Sequence, residues 1–188
     1  MTQGQGIYAP SPSDGPLVQG EILSQIEQVI FSLPPLQSPE DREFEVQVHP
    51  WVIVMTQDCD LAQDYRKGVG SMTPNILFCE VSTAEELSKL LKGSDASARW
   101  TQIQQNKDPR YHFLQRATPE FDFQQQGLDE FGIDFKRYFT LPSGEVYSQL
   151  TRSAKRHCFL NSPYLEHLAQ RFSAFLSRVA LDSDHMSE

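Results

Sequence analysis

The chain has 188 residues and a mass of 21.5 kDa, with 39% hydrophobic, 11% aromatic and 22% charged residues, enough for one domain with its own core. Its 16 Lys and Arg stand against 25 Asp and Glu, giving a net charge of −9 and a pI near 5.0. Such an acidic chain is a poor match for duplex DNA or for an anionic membrane.

Residues 1–17 carry three Gly and three Pro with few side chains that can anchor a core, so they read as a flexible arm. They have no basic start and no apolar stretch of the kind a secretory signal needs. Three cysteines (Cys59, Cys79, Cys158) without framework spacing suit a reducing, cytoplasmic setting. No run of about 18 apolar residues occurs, so no membrane-spanning helix is expected.

A single domain is expected over 18–181. Gly20–Leu23 opens an apolar stretch that Gln28–Leu33 continues, and Pro34-Pro35 halts regular structure. Phe44–Val48 alternates apolar and polar residues, the pattern of a half-buried strand. Trp51–Met55 is continuously apolar, as in a strand buried on both faces. His49-Pro50 between them leaves too little room for a hairpin, which predicts a bend or bulge. Asn75–Val81 is a third strand. Thr83-Ala84-Glu85-Glu86 fits a capping box that opens a helix through Leu87, Leu90 and Leu91, ending at Gly93. Ala96–Gln105 reads as a second helix. Tyr111–Gln115, Asp134–Leu141, Glu145–Leu150 and Arg156–Leu160 read as strands. Ser162 as N-cap and Pro163 at N1 open an amphipathic helix in which Leu165, Leu168, Ala169, Phe172, Phe175, Leu176 and Val179 share a face. The acidic tail 182–188 is expected to fray.

The fold class that follows is α+β: a bent antiparallel sheet or SH3-like, partly open barrel, with a helical insertion and a C-terminal amphipathic helix. The expected core is Val52, Ile53, Val54, Ile76, Leu77, Phe78, Leu165, Leu168, Phe172, Phe175 and Leu176.

Chemistry concentrates after the most apolar strand, in Thr56–Leu61. Asp58 and Asp60 flank Cys59, and two such carboxylates can hold a divalent cation or share a proton. The plainer reading is preferred: one Asp caps a turn and Cys59 points into the core. As a nucleophile Cys59 is disfavoured, because neighbouring anions stabilise its thiol form. His49 and His157 are the acid–base candidates. His157 and Cys158 adjoin on a strand, point to opposite faces and cannot share one metal ion. No zinc-type spacing occurs and no cofactor is called for. Residues 1–135 carry a net −11 and residues 136–178 a net +5. Arg152, Lys155 and Arg156 form a basic turn suited to RNA or an acidic partner, or a face that pairs with the acidic part of the chain.

Gly20–Leu23, His49–Thr56 and Ile76–Thr83, in that order, resemble the MazF/PemK-like toxins, small SH3-like barrels of bacterial toxin–antitoxin systems. The Thr56–Leu61 loop and the closing helix also resemble a class of bacterial proteins of unassigned activity. The toxin resemblance implies an endoribonuclease or related phosphodiesterase site at His49, Asp58, Asp60 and Ser82. Yet His49 stands where the family has its catalytic Arg, and Ser82 beside Thr83 where it has its Thr. A guanidinium to hold the scissile phosphate is therefore missing. The leading expectation is a non-catalytic binding or regulatory module of toxin–antitoxin or defence type, acting through a protein partner. Its binding residues would be Cys59, Arg152, Lys155 and Arg156. Ribonuclease action is the alternative.

Overall fold

A computed structural model describes residues 6–32 and 43–178. Seven antiparallel strands form one open sheet with helices on both faces. In chain order the elements are β1 (Tyr8–Pro10), β2 (Glu21–Ser32), β3 (Glu43–Val54), α1 (Asp58–Lys67), β4 (Asn75–Thr83), α2 (Ala84–Leu90), α3 (Ala96–Gln104), β5 (Tyr111–Leu114), β6 (Phe131–Pro142), α4 (Ser143–Arg152), β7 (Lys155–Leu160) and α5 (Tyr164–Leu176). The strand order is β1-β7-β2-β3-β4-β6-β5. The expected α+β fold, with helices inserted after β4 and a C-terminal helix on the sheet, is the one observed. The sheet does not close into a barrel.

Trp51–Met55 is the hub. Alternating side chains leave a strand on opposite faces, so Ile53 packs with Ile22, Cys79, Ile133, Phe135 and Cys158 beneath Leu168 and Phe172 of α5. Val52 and Val54 pack with Leu23, Ile76 and Phe78 on the other face, against Leu61 of α1 and Val146 of α4. A third cluster joins Leu87, Ile103, Tyr111 and Phe113, seating α2 and α3 over the β5 end. The expected core holds, except that Leu77, Leu165 and Phe175 are only partly buried and Leu176 is 51% exposed at the end of α5.

Several expectations are corrected. Within the segment expected to be an arm, Tyr8–Pro10 pairs with Cys158–Leu160, Tyr8 and Leu17 are buried, and the Tyr8 hydroxyl donates to the Gln115 carbonyl at 2.6 Å. Residues 1–5 and the tail 182–188 lie outside the described residues, as does Val179. His49-Pro50 does not interrupt β3. The register runs through it from Ile26↔His49 to Ser24↔Trp51. The irregularity falls on the neighbouring strand, where Gln25, opposite the proline that has no N–H, takes a φ of +60°. Glu145–Leu150 is helical, because Val146 and Leu150, one turn apart, both reach the core. Ser162 is not the N-cap: α5 starts at Tyr164, and no side chain caps it.

Candidate functional site

The short β3–β4 ladder creates a crevice. β3 pairs with β4 only at Val52↔Glu80, Ile53↔Cys79 and Val54↔Phe78. Beyond Val52, β3 continues as a ribbon with β2, while β4 turns towards β6 and α2. A cavity of about 430 Å³ lies in the fork, lined among others by His49, Trp51, Glu80, Ser82, Lys89 and Arg137.

His49 and Ser82 thus reach one cavity, as a shared site requires. The His49 ring, however, is fully engaged. Its Nδ1 lies 3.1 Å from Glu80 Oε1, its Nε2 lies 3.1 Å from Gln28 Oε1, and its face stacks on Phe139 at 4.1 Å. Glu80 is in turn held by Arg137, whose Nε donates to Oε2 at 2.6 Å. A general base needs a ring nitrogen facing substrate, and both nitrogens of His49 face protein acceptors.

Asp58, Cys59 and Asp60 do not line this cavity. They form the first turn of α1 rather than a loop. Acidic residues there and Arg66 and Lys67 in the last turn both oppose the helix dipole favourably. Asp58 caps no turn of its own; it accepts the Gln19 N–H at 2.5 Å, tying α1 to the entrance of β2. Cys59 is exposed instead of buried in the core. The carboxylate that shapes this corner is Asp64, which the sequence did not single out. It accepts N–H groups from Gly70, Met72 and Thr73 at 2.8–2.9 Å. Burial raises its pKa, but these hydrogen bonds outweigh burial and hold the carboxyl below its usual value. Among the described residues no three His, Cys, Asp or Glu side chains gather as metal ligands.

The basic turn divides. Lys155 and Arg152 are exposed, Arg152 donating to Glu145 at 3.0 Å. Arg156 is buried and committed: Nε and Nη2 grip the Glu21 carboxylate at 2.6 and 2.9 Å, and the other donors reach the Gly15 and Pro16 carbonyls. It is withdrawn from any binding face, because freeing it would leave Glu21 buried and unpaired. Arg137 and Arg156 thus pair the basic third with carboxylates of the acidic part.

A buried relay escaped the sequence reading. Asp122 Oδ1 accepts from His157 Nδ1 at 2.9 Å, and His157 Nε2 lies 2.9 Å from Ser24 Oγ. Asp122 also accepts N–H groups of Gln124, Gln126 and Gly127, each at 3.0 Å. Burial lowers the His157 pKa against the pull of Asp122, so the neutral ring donates from Nδ1 and accepts the serine hydroxyl. The order Ser–His–Asp is that of a hydrolase triad, but Ser24 and His157 are buried, with the Trp51 ring 4.8 Å from the imidazole. The relay joins β2, β7 and the 122–127 loop. His157 alone carried a signal in the sequence; Ser24 and Asp122 are too distant along the chain and too ordinary in context.

Among the described residues the β2–β3 ribbon carries the two most exposed large apolar side chains, Phe31 and Phe44. Cross-strand partners Phe31↔Phe44 and Val29↔Val46 lie on one face, with Val48 opposite Glu27 extending it. Phe31 and Phe44 are 69% and 71% exposed, and the three valines are about half exposed. At the root of this face a hollow of about 410 Å³ is lined by Glu27, Val29, Val46, Leu141, Pro142 and Glu145.

No protein-family model matches the chain, and no curated protein matches it. Among the described residues no helix is long and apolar enough to cross a membrane.

Proposed function

We propose that this chain is a non-catalytic protein-binding module whose contact surface is the apolar face of the β2–β3 ribbon. The observation that carries this reading is the row Val29, Phe31, Phe44, Val46 and Val48, left uncovered on a strand pair that projects past the sheet. Aromatic and β-branched residues contiguous on a rigid surface are the usual anchors of protein interfaces. The engaged ring of His49, and the distance in the fold between the fork and Asp58–Asp60, favour binding over phosphodiester cleavage. Assignment to a toxin–antitoxin or defence system rests on the resemblance of Gly20–Leu23, His49–Thr56 and Ile76–Thr83.

The partner is expected to present apolar residues among Lys or Arg. Glu27 is exposed on this face opposite Val48 and Glu45 on the reverse face of the ribbon, and neither forms an ion pair among the described residues. The Lys or Arg of such a segment would therefore meet a carboxylate on either face. Phe44→Asp and Val46→Asp test the reading. Both positions are solvated, so the melting temperature should stay within a few degrees while partner capture from the source lysate drops at least tenfold. Undiminished capture of the same protein by both variants would refute the assignment of this face.

A further inference from the structure

We infer that the partner joins the sheet as an extended strand along the outer edge of β3, with one end seated in the fork between β3 and β4. This rests on the protein-binding reading above and specifies its geometry. β3 is a 12-residue strand paired with β2 along its length, yet β4 covers its other edge only at Val52–Val54. Among the described residues, no strand and no side chain bonds the main chain of Phe44–Trp51 on that side. An uncovered strand edge is a template for a further strand, and native sheets ordinarily block it.

The same ribbon shows what a blocked edge looks like. Pairing of β2 with β7 ends at Ser24↔Lys155. Just beyond, the Gln149 carboxamide accepts the Glu27 N–H at 2.8 Å and donates to the Glu27 carbonyl at 2.9 Å, the two bonds a neighbouring strand would supply. β2 is therefore closed by a side chain of α4, whereas β3 opens onto the 430 Å³ fork. Trp51 and Leu90 offer that fork an apolar wall, and Glu86 adds a carboxylate.

Charge selects the occupant. A second copy of this chain would join two molecules of net charge −9, each carrying Glu45 exposed on the edge strand itself. A partner segment alternating Lys or Arg with Val, Ile or Phe instead places its apolar side chains beside Phe44, Val46 and Val48 and its cations on the opposite face, beside Glu45.

The test uses the full chain and an end-capped peptide of about seven residues alternating lysine and valine, followed by amide NMR. Binding should shift the amides of Gln47, Val48, His49 and Trp51 and slow the hydrogen exchange of Val48 and Trp51, whose N–H groups face the open edge, at least tenfold. N-methylation of the alternate peptide residues that face β3 should weaken binding at least tenfold, while methylation of the other set leaves it within about twofold. Equal binding by both methylated peptides, shifts confined to β2, or no shift at millimolar peptide would each overturn strand addition. Equal binding that Phe44→Asp nevertheless abolishes would leave the ribbon face as the binding surface and remove only the strand geometry.

Discussion

His112 is buried on β5, its ring 5.4 Å from that of His167 and its Nδ1 without a hydrogen-bond partner among the described residues. Burial, and then the positive charges of Arg171 and His167, push its pKa down from 6.5 to about 3. The unfolded chain therefore takes up a proton near pH 6.5 that the folded chain refuses until about pH 3. Stability is complete above the unfolded value and declines as pH falls through this window. His157, lowered by burial, acts in the same direction. Replacing His112 by leucine removes one of the two contributions. Between pH 7 and pH 4 the stability difference should move in favour of His112→Leu by about 3 kcal/mol, read from urea unfolding at each pH. Parallel pH profiles for the two proteins would contradict the assignment. At this scale the sequence was informative only where a residue's neighbours make it a signal. His49 and His157 stand beside residues that draw notice to them, Pro50-Trp51 and Cys158, whereas His112 and His167 have no such neighbours and carry no signal. What His49 and His157 do depends on Glu80, Gln28, Ser24 and Asp122, which approach from other strands and loops.

Local chemistry made some elements readable and left others hidden. Thr83 and Glu86 exchange the two bonds of the capping box, with Glu86 N–H donating to Thr83 Oγ1 and Thr83 N–H donating to Glu86 Oε2. That helix start needs nothing beyond four residues, which makes it legible in the sequence. α4 depends on tertiary contacts: its sequence mixes Gly144 and β-favouring Val146 and Tyr147, and it is helical where Val146 meets the sheet and Gln149 closes β2. α1 was hidden because Asp58-Cys59-Asp60 favours turns in isolation but suits a helix N-terminus. The docking of α2 depends on the absence of a side chain at Gly132. A Cβ there would stand 2.2 Å from Leu87 Cδ2, and Leu87 is 2% exposed. Gly132→Ala should cost about 1–3 kcal/mol in thermal or urea unfolding, because Leu87 must leave its seat over β6. Adding Leu87→Ala should recover part of that loss in a double-mutant cycle. Strict additivity of the two losses would mean that the contact does not limit how closely α2 approaches.

At the scale of the whole molecule the sheet consists of two wings joined at a narrow centre. β1, β7, β2 and β3 form one wing; β4, β6 and β5 form the other; three residue pairs between β3 and β4 link them. The sequence revealed the centre, since an unbroken apolar run such as Trp51–Met55 is explicable only by burial on both faces. It did not reveal the strand order, because which strands meet is decided by contacts far apart along the chain, such as Tyr8 with Leu160. Layering on both faces makes the narrow link the most protected part: Val52, Ile53, Val54, Phe78 and Cys79 are all fully buried. Among the described residues the outer ribbon has neither a third strand nor a covering layer, and its valines and phenylalanines are exposed. Opening it exposes little additional apolar surface, whereas parting β3 from β4 exposes both core clusters together. Native-state hydrogen exchange should therefore separate two populations. Amides of β2 and β3 between Val29–Phe31 and Phe44–Val46 should exchange through local opening, with rates insensitive to low urea. Those of Ile53, Val54 and Cys79 should exchange only through global unfolding and follow the full urea dependence of stability. Equal protection along the whole of β3 would mean that the ribbon is packed against something in solution, and the binding surface assigned to it would already be occupied.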